Sequence, residues 1–338
     1  CNLNISSDDA EVTNSNIFGR LALGHRRLSV IDLNTISNQP LSYQNNRYWI
    51  VFNGEIYNYL ELREELKNLG HIFVTNSDTE VILAAYDEWG ISCQNKFNGM
   101  WSFCIFDKNK GNIFLSRDRF GEKPLYYSIK DNSLFFASEI KALFASKKIE
   151  AKISKKKLKK FLNEGPVEYE HSTIYEEVFY LMPGSYFHFS INENISKIKQ
   201  KKFWSLNVNN SNERFSEIKA KQYANEYFSL LKDSVRLRLR SDVPLGSALS
   251  GGLDSSSIVY LIREILAEES STEYQNTFSC VYKENPSERY CDESQYIDLL
   301  TNELDIKNHQ ITPIADEIPL ELERLIYCFD SPPENTCM

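Results

Sequence analysis

The residues that most directly suggest chemistry are Ser250-Gly251-Gly252-Leu253-Asp254-Ser255. They follow a short apolar run, Val243 to Leu249, and open a segment, Ser255 to Leu266, with helical apolar spacing. That places glycines and hydroxyls at a helix N-terminus, where free N–H groups and the helix dipole attract anions. The glycines let the backbone approach a phosphate closely. The loop is not a Walker A motif, because no GxxxxGKS/T pattern is present, and it lacks the GxGxxG spacing of a dinucleotide fold. An ordinary glycine-rich strand-to-helix turn is the alternative, and the strand–loop–helix setting argues against it.

Two other groups of reactive or charged residues are less specific. The seven cysteines, Cys1, Cys93, Cys104, Cys280, Cys291, Cys328 and Cys337, form no CxxC pair. Neither a zinc site nor a disulfide framework is expected, and a reducing cytoplasm is the expected location. Most should be small buried hydrophobes, and Cys1 differs by its place at the amino end. Lys152, Lys155, Lys156, Lys157, Lys159 and Lys160 alternate with Ile153, Leu158, Phe161 and Leu162. This run reads as the solvated face of an amphipathic helix in preference to a polyanion site.

The elements that must position these groups change along the chain. Residues 1–150 read as strand-rich. Tyr48 to Phe52 is a β-branched and aromatic run, and Asn53-Gly54 after it reads as a turn. Tyr59 to Leu69 and Thr79 to Trp89 have helical spacing, with Gly70 and Gly90 as stops and Ser77-Asp78 as a cap. Met100 to Phe106 with Asn112 to Leu115, and Leu125 to Tyr127 with Leu134 to Ala137, read as strand pairs. Residues 151–217 read as a connector. From 218 the pattern alternates: helix Ile218 to Arg240, strand Val243 to Leu249, helix Ser255 to Leu266, strand Thr277 to Tyr282, helix Glu293 to Glu303, strand Asn308 to Thr312. Such alternation predicts a parallel sheet with helical crossovers.

Size and composition agree with two globular domains. The chain has 338 residues and is 42% hydrophobic and 25% charged, and a length near twice ~150 suggests about two domains. No run approaches the ~18 apolar residues of a membrane helix. No secretory signal is visible. The net charge of -9, from 47 acidic and 38 basic residues, offers no broad basic footprint for nucleic acid.

With these residues in view, a family resemblance is apparent. Ser250 to Ser255 resembles the pyrophosphate loop of the N-type ATP pyrophosphatases, and the wider run from Ser241 to Ser256 resembles the asparagine synthetase version. Leu23-Gly24-His25-Arg26-Arg27-Leu28-Ser29-Val30, Phe52-Asn53-Gly54-Glu55-Ile56-Tyr57-Asn58, Asn76-Ser77-Asp78-Thr79-Glu80, Arg117 to Tyr127 and Ser138-Glu139-Ile140-Lys141 resemble, in order, blocks of that family's glutaminase half. The chain is thus similar to the glutamine-hydrolysing asparagine synthetase family.

The resemblance implies a fold class: an α+β N-terminal-nucleophile glutaminase, an αββα sandwich, over 1–150; a connector over 151–217; and an α/β parallel-sheet ATP-pyrophosphatase domain, partly covered, over 218–338. It implies Cys1 as nucleophile, with Asn53 and Gly54 facing the oxyanion. Arg27, Leu28, Val30, Asn53, Gly54, Glu55 and Asp78 would hold glutamine. Ala248, Leu249, Ser250, Gly251, Gly252, Asp254, Ser255 and Cys280 would hold ATP, with Asp254 on Mg2+. The activity implied is asparagine formation from aspartate and glutamine-derived ammonia through a β-aspartyl-adenylate, with ammonia enclosed between the sites. The alternatives are an amide-forming relative with another carboxylate acceptor, or a non-catalytic glutamine- or nucleotide-binding module. Expected partners are the small molecules glutamine, aspartate and ATP, with a homodimer as the candidate assembly and neither nucleic acid nor membrane. The stretch before His25 is shorter than is usual in the family, with only Asp8-Asp9 suggesting the end of an Arg-Gly-Pro-Asp block. In the family a second glycine- and acid-rich loop comes later in the sequence, with further helices.

Overall fold

The computed structural model describes residues 3–6, 20–164, 171–208, 214–269, 275–282, 292–314 and 317–331. Cys1, Asp8 and Asp9 lie outside the described residues. The chain divides into two units, Cys1–Val208 with Leu322–Met338, and Asn209–Glu321.

In the first unit, β1 (Leu3–Ser6) and β2 (Leu21–Gly24) pair in parallel. There follow β3 (Leu41–Tyr43), β4 (Tyr48–Ile56), α1 (Tyr59–Asn68), α2 (Asp78–Trp89), β5 (Gly99–Asp107) and β6 (Asn112–Arg117). Next come β7 (Tyr126–Lys130), β8 (Ser133–Ala137), α3 (Ile140–Ala145), α4 (Lys155–Glu164), β9 (Phe179–Tyr180), β10 (Ser185–Ser190) and β11 (Lys201–Lys202). One six-stranded antiparallel sheet has the order β11-β10-β6-β5-β4-β3, and a three-stranded one has the order β8-β7-β9.

The two-residue side-chain period of a strand explains the layers. Ile50 and Phe52 of β4, Phe103 and Ile105 of β5 and Phe114 of β6 pack under Val81, Leu83 and Ala84 of α2 and Leu62 and Leu66 of α1. The alternate residues Val51, Cys104, Phe106 and Leu115 pack with Leu125 and Tyr127 at the second sheet. Beyond that sheet, Ile140 and Leu143 of α3 pack with Tyr126, Phe135 and Ala137. The layers therefore run helix, sheet, sheet, helix, the αββα arrangement.

The structure departs from the sequence reading at two places in this unit. Asn53-Gly54 is not a turn: β4 continues through it to Ile56, with Asn53 opposite Ser102 and Gly54 opposite Trp101. Gly54 has φ +153, and a Cβ there would sit 2.1 Å from the Met100 carbonyl oxygen, so only glycine lets β4 and β5 stay paired at this point. The 151–217 connector also carries sheet strands, since β9 pairs with β7 and β10 pairs with β6. Ser185, Phe187 and Phe189 of β10 are buried in alternation, a strand pattern flanked by Pro183, Gly184 and lysines. Within the same stretch, α4 buries none of its residues.

The second unit contains α5 (Glu217–Arg238), β12 (Gly246–Ala248), α6 (Leu253–Glu268), β13 (Asn276–Cys280), α7 (Ser294–Leu304) and β14 (Lys307–Ile311). Then α8 (Ile318–Phe329) starts in this unit, and its residues from Leu322 group with the first. The sheet β12-β13-β14 is parallel throughout. Leu249, Val259, Val281, Ile297 and Ile306 form its core, and Val235 of α5 packs with Leu261 and Ile265 of α6. Among the described residues, no helix is long and apolar enough to cross a membrane.

Candidate functional sites

Each unit holds one candidate site. In the first, a cavity of about 550 Å³ is lined by the Gly24–Ile31 loop, β4 from Val51 to Glu55, Asp78 and Thr79 of α2, Ser102 to Cys104 of β5, Lys123, and the Phe136–Glu139 wall. It exists because β3 pairs with β4 only as far as Ile50, leaving the outer edge of β4 unpaired by a strand beyond that point. Side chains at this edge use its N–H groups. Phe52 N–H donates to Gln39 Oε1 at 2.6 Å, and Ile56 N–H donates to Asp78 Oδ2 at 2.9 Å. The period of the strand aims the Gly54 N–H toward the same edge, between those two. The Asn53 side chain, on the opposite face, donates from Nδ2 to Ser138 Oγ at 3.3 Å. Asn53 and Gly54 both line the cavity at this wall.

Charge is distributed around them. Arg27 is half-buried, and its guanidinium donates to the carbonyls of Ile31 at 2.9 Å and Asp32 at 2.6 Å and of Asn34 at 3.1 Å. Burial lowers its pKa, while Asp32 and Asp78 oppose the shift. Asp78 is buried at the first turn of α2, and burial pushes its carboxyl up to about 6 against the Ile56 N–H bond, with Glu55 adding to the rise. Burial also raises Glu55, with Lys123 pulling it back. Leu28 is exposed and Val30 half-buried in the same rim. The structure thus gathers Arg27, Leu28, Val30, Asn53, Gly54, Glu55 and Asp78 around one cavity.

Residues outside the glutamine-binding set implied by the resemblance hold this wall together. Asp32 has φ +56, and its carboxylate accepts from Ser37 Oγ at 2.6 Å, Asn76 N–H at 2.8 Å and Asn34 N–H at 3.1 Å. Burial alone would raise its carboxyl, but those bonds and Arg27 bring it below the usual value. Asp32 thereby ties the Arg27 loop to the turn that precedes Asp78. Asp118 accepts from the N–H groups of Trp101, Phe120, Glu122 and Lys123, shaping the loop that presents Lys123. Arg119 donates to the carbonyls of Phe97 and Asn95, a structural role like that of Asp118. An Asp or Gln that binds distant backbone has no local sequence signature.

In the second unit, the Leu249 N–H donates to the Phe278 carbonyl at 2.9 Å, and Ser250 to Ser255 then turn from β12 into α6. Ser250 Oγ lies 2.9 Å from Ser255 Oγ, and the Ser250 N–H donates to Ser255 Oγ at 3.2 Å. Gly251 has φ +92, and a Cβ on it would lie 2.7 Å from Glu293 Cβ. Gly252 caps α6 without a side-chain bond, so the first N–H groups of α6 have no side-chain acceptor from their cap. Asp254 is exposed in that first turn. Ala248 and Cys280 are exposed, whereas the Leu249 side chain is fully buried, leaving Leu249 only its backbone to offer. Asp292, beside the loop partner Glu293, accepts from the Ser294 N–H and hydroxyl at the start of α7. Among the described residues, no group of three or more His, Cys, Asp or Glu could hold a metal ion.

Comparison with known proteins agrees with both units. The family model described as "Glutamine amidotransferase domain" matches residues 6–204, more than half of the chain, and the one described as "Asparagine synthase" matches residues 226–337. The chain belongs to the glutamine-hydrolysing asparagine synthetase family. "Asparagine synthetase [glutamine-hydrolyzing] 1" of Bacillus subtilis is 39% identical over 246 residues, covering 72% of this chain and 37% of that protein. "Putative asparagine synthetase [glutamine-hydrolyzing] 2" of Methanocaldococcus jannaschii is 35% identical over 335 residues, covering 92% of this chain and 60% of that protein. "Amidase chry2" of Gibberella zeae is 31% identical over 254 residues, covering 73% and 36%. The chain therefore spans between 36% and 60% of the length of these three relatives.

Proposed function

We propose that this chain releases ammonia from glutamine at the cavity of the first unit. At the Ser250–Ser255 loop it activates a carboxylate with ATP for amidation, with aspartate as acceptor and asparagine as product. One observation carries the reading: a guanidinium, two carboxylates and two amide donors line a single cavity with room for an amino acid. Arg27 takes the α-carboxylate of glutamine in exchange for backbone carbonyl bonds that its guanidinium makes in the free protein. Asp78 and Glu55 take the α-ammonium. The side-chain amide then lies against β4, where Asn53 Nδ2 and the Gly54 N–H stabilise the oxyanion, a contribution commonly of about 3 kcal/mol per donor.

Cys1 is the nucleophile. Its α-amine, with an ordinary pKa of ~8, accepts the thiol proton, and the sulfur adds to the amide carbon. Collapse expels ammonia, which takes that proton, and leaves a glutamyl thioester. Water then hydrolyses the thioester to glutamate and regenerates the thiol.

In the second unit, the aspartate β-carboxylate attacks the α-phosphorus of ATP, the bond to the β-phosphate oxygen breaks, and pyrophosphate leaves. Ammonia then attacks the β-aspartyl-adenylate and AMP departs. Ser250, Gly251, Gly252 and Ser255 bind the pyrophosphate at the N-terminus of α6. The backbones of Ala248 and Cys280 and the Leu249 carbonyl, at the carboxyl ends of β12 and β13, meet the adenine, the usual place for a ligand on an open α/β sheet. The exposed carboxylate of Asp254 is a hard oxygen donor that fits Mg2+. One carboxylate plus substrate phosphates is the usual set for that ion, which neutralises phosphate charge.

The test is glutamate release from glutamine by the wild type and by Cys1→Ala, with pyrophosphate release measured in parallel. The wild type is expected to release glutamate. The variant should lose this while keeping pyrophosphate release driven by added ammonia and aspartate. A wild type that releases no glutamate overturns the first half. A second reading, a different carboxylate acceptor, is favoured by the similarity to an amidase, and pyrophosphate release with other carboxylic acids but not with aspartate selects it.

A further inference from the structure

The wall of the glutamine cavity is held from a distant part of the chain. Phe136, Ala137, Ser138, Glu139 and Ala142 line that cavity, and Ser138 Oγ accepts from Asn53 Nδ2. The wall leads into α3, a helix whose own N-cap residue, Glu139, makes no side-chain capping bond. The missing acceptor comes from Asp330, 189 positions away in sequence. Its Oδ2 accepts the Lys141 backbone N–H at 3.2 Å, and its Oδ1 lies 3.3 Å from Lys141 Nζ. The Asp330 side chain is only 9% exposed. Its backbone takes the left-handed conformation with φ +57, which Asp tolerates better than most residues. Its carbonyl accepts from Tyr175 Oη at 3.1 Å. Lys141 Nζ also meets Glu139 Oε2 at 2.6 Å and lies 5.1 Å from the Tyr327 ring centre.

We propose that Asp330 is a positioning residue for glutamine: it caps α3 from the end of α8 and so fixes the Ser138–Glu139 wall against Asn53. The inference rests on the glutamine reading of the cavity and deepens it. Asp330 falls in the stretch matched by the asparagine synthase model, whereas Lys141 falls in the stretch matched by the amidotransferase model. The segment that follows the nucleotide-loop domain in sequence therefore contributes to the geometry of the glutamine pocket. A carboxylate near a first-turn N–H and beside an ammonium meets both the hydrogen-bonding need and the positive end of the helix.

The experiment uses the full chain. Glutamine KM and kcat are measured for wild type, Asp330→Ala and Asp330→Asn, together with hydrogen exchange over residues 138–145. Asp330→Ala should raise KM about fivefold, the scale of one lost helix cap, and lower kcat because the wall beside the oxyanion donor Asn53 is released, with faster exchange in 138–145. Asp330→Asn keeps an acceptor for the Lys141 N–H and should recover most of the KM. Unchanged KM in Asp330→Ala, even with faster exchange, overturns the positioning role while leaving the glutamine reading intact. An Asn variant no better than Ala overturns the capping argument. A wild type that neither binds nor hydrolyses glutamine overturns both readings.

Discussion

Asp78 combines two opposing demands. To take up the ammonium proposed for it, its carboxylate must be ionised, yet burial lifts it to about 6 from an ordinary ~3.9. Between those values the folded protein holds a proton that the unfolded chain has released. Ionisation therefore works against folding, a cost fully present above about pH 6 and relieved as pH falls toward 4. Binding has the opposite sign, so glutamine KM should rise about tenfold per pH unit below 6, measured as glutamate release across pH 5 to 8. Asp78→Asn should leave the melting temperature at pH 8 equal to or above that of wild type while raising glutamine KM at least tenfold. A lower melting temperature would contradict a destabilising ionised Asp78. Gly54 carries a different constraint. Gly54→Ala places a Cβ 2.1 Å from the Met100 carbonyl oxygen and 2.8 Å from Trp101 Cα. The β4–β5 pairing must then shift, at a cost of about 3 kcal/mol or more in urea unfolding.

At the scale of elements, the site depends on loops pinned by buried carboxylates. Asp32 joins the Arg27 loop to Asn76 and Ser37. Asp32→Ala leaves those donors without their acceptor, so a loss of about 2–3 kcal/mol in stability is expected, accompanied by a raised glutamine KM because the Arg27 loop is released. The start of α2 is reinforced twice. Ser77 Oγ accepts the Glu80 N–H, and the Glu80 carboxylate accepts from Val74 and Thr75, while Arg63 holds the carbonyls of Thr75 and Ser77. Ser77→Ala should cost only about 1 kcal/mol, with little change in KM, because Glu80 and Arg63 still fix the turn. Equilibrium unfolding of the two variants side by side tests this ordering, and a Ser77 effect larger than that of Asp32 would reverse it.

At the scale of the whole molecule, the two candidate sites occupy separate units with separate cores. Gly251→Ala sets a Cβ against Glu293 at φ +92. It should reduce ATP-dependent pyrophosphate release by at least tenfold while leaving glutamate release without ATP near that of wild type. Loss of both activities would show that the loop also supports the first unit.

Much of this protein is legible from local sequence. Ser77 and Gly90 bound α2, Gly70 follows α1, and alternation of helix and strand after 218 gives the parallel sheet, because caps, stops and periodicity act within a few residues. The family blocks likewise single out the cavity residues, from Arg27 to Asp78, without any geometry. What the sequence could not convey depends on partners far away along the chain. Asn53-Gly54 has the composition of a turn, yet it continues a strand because β5 lies opposite. The run around Ser185 to Ser190 looks like a linker, yet it is sheet because Phe187 and Phe189 have a core to enter. Asp32, Gln39, Asp118 and Asp330 gain their roles only through backbone groups brought to them by the tertiary fold, since a buried polar atom is defined by what it meets in space.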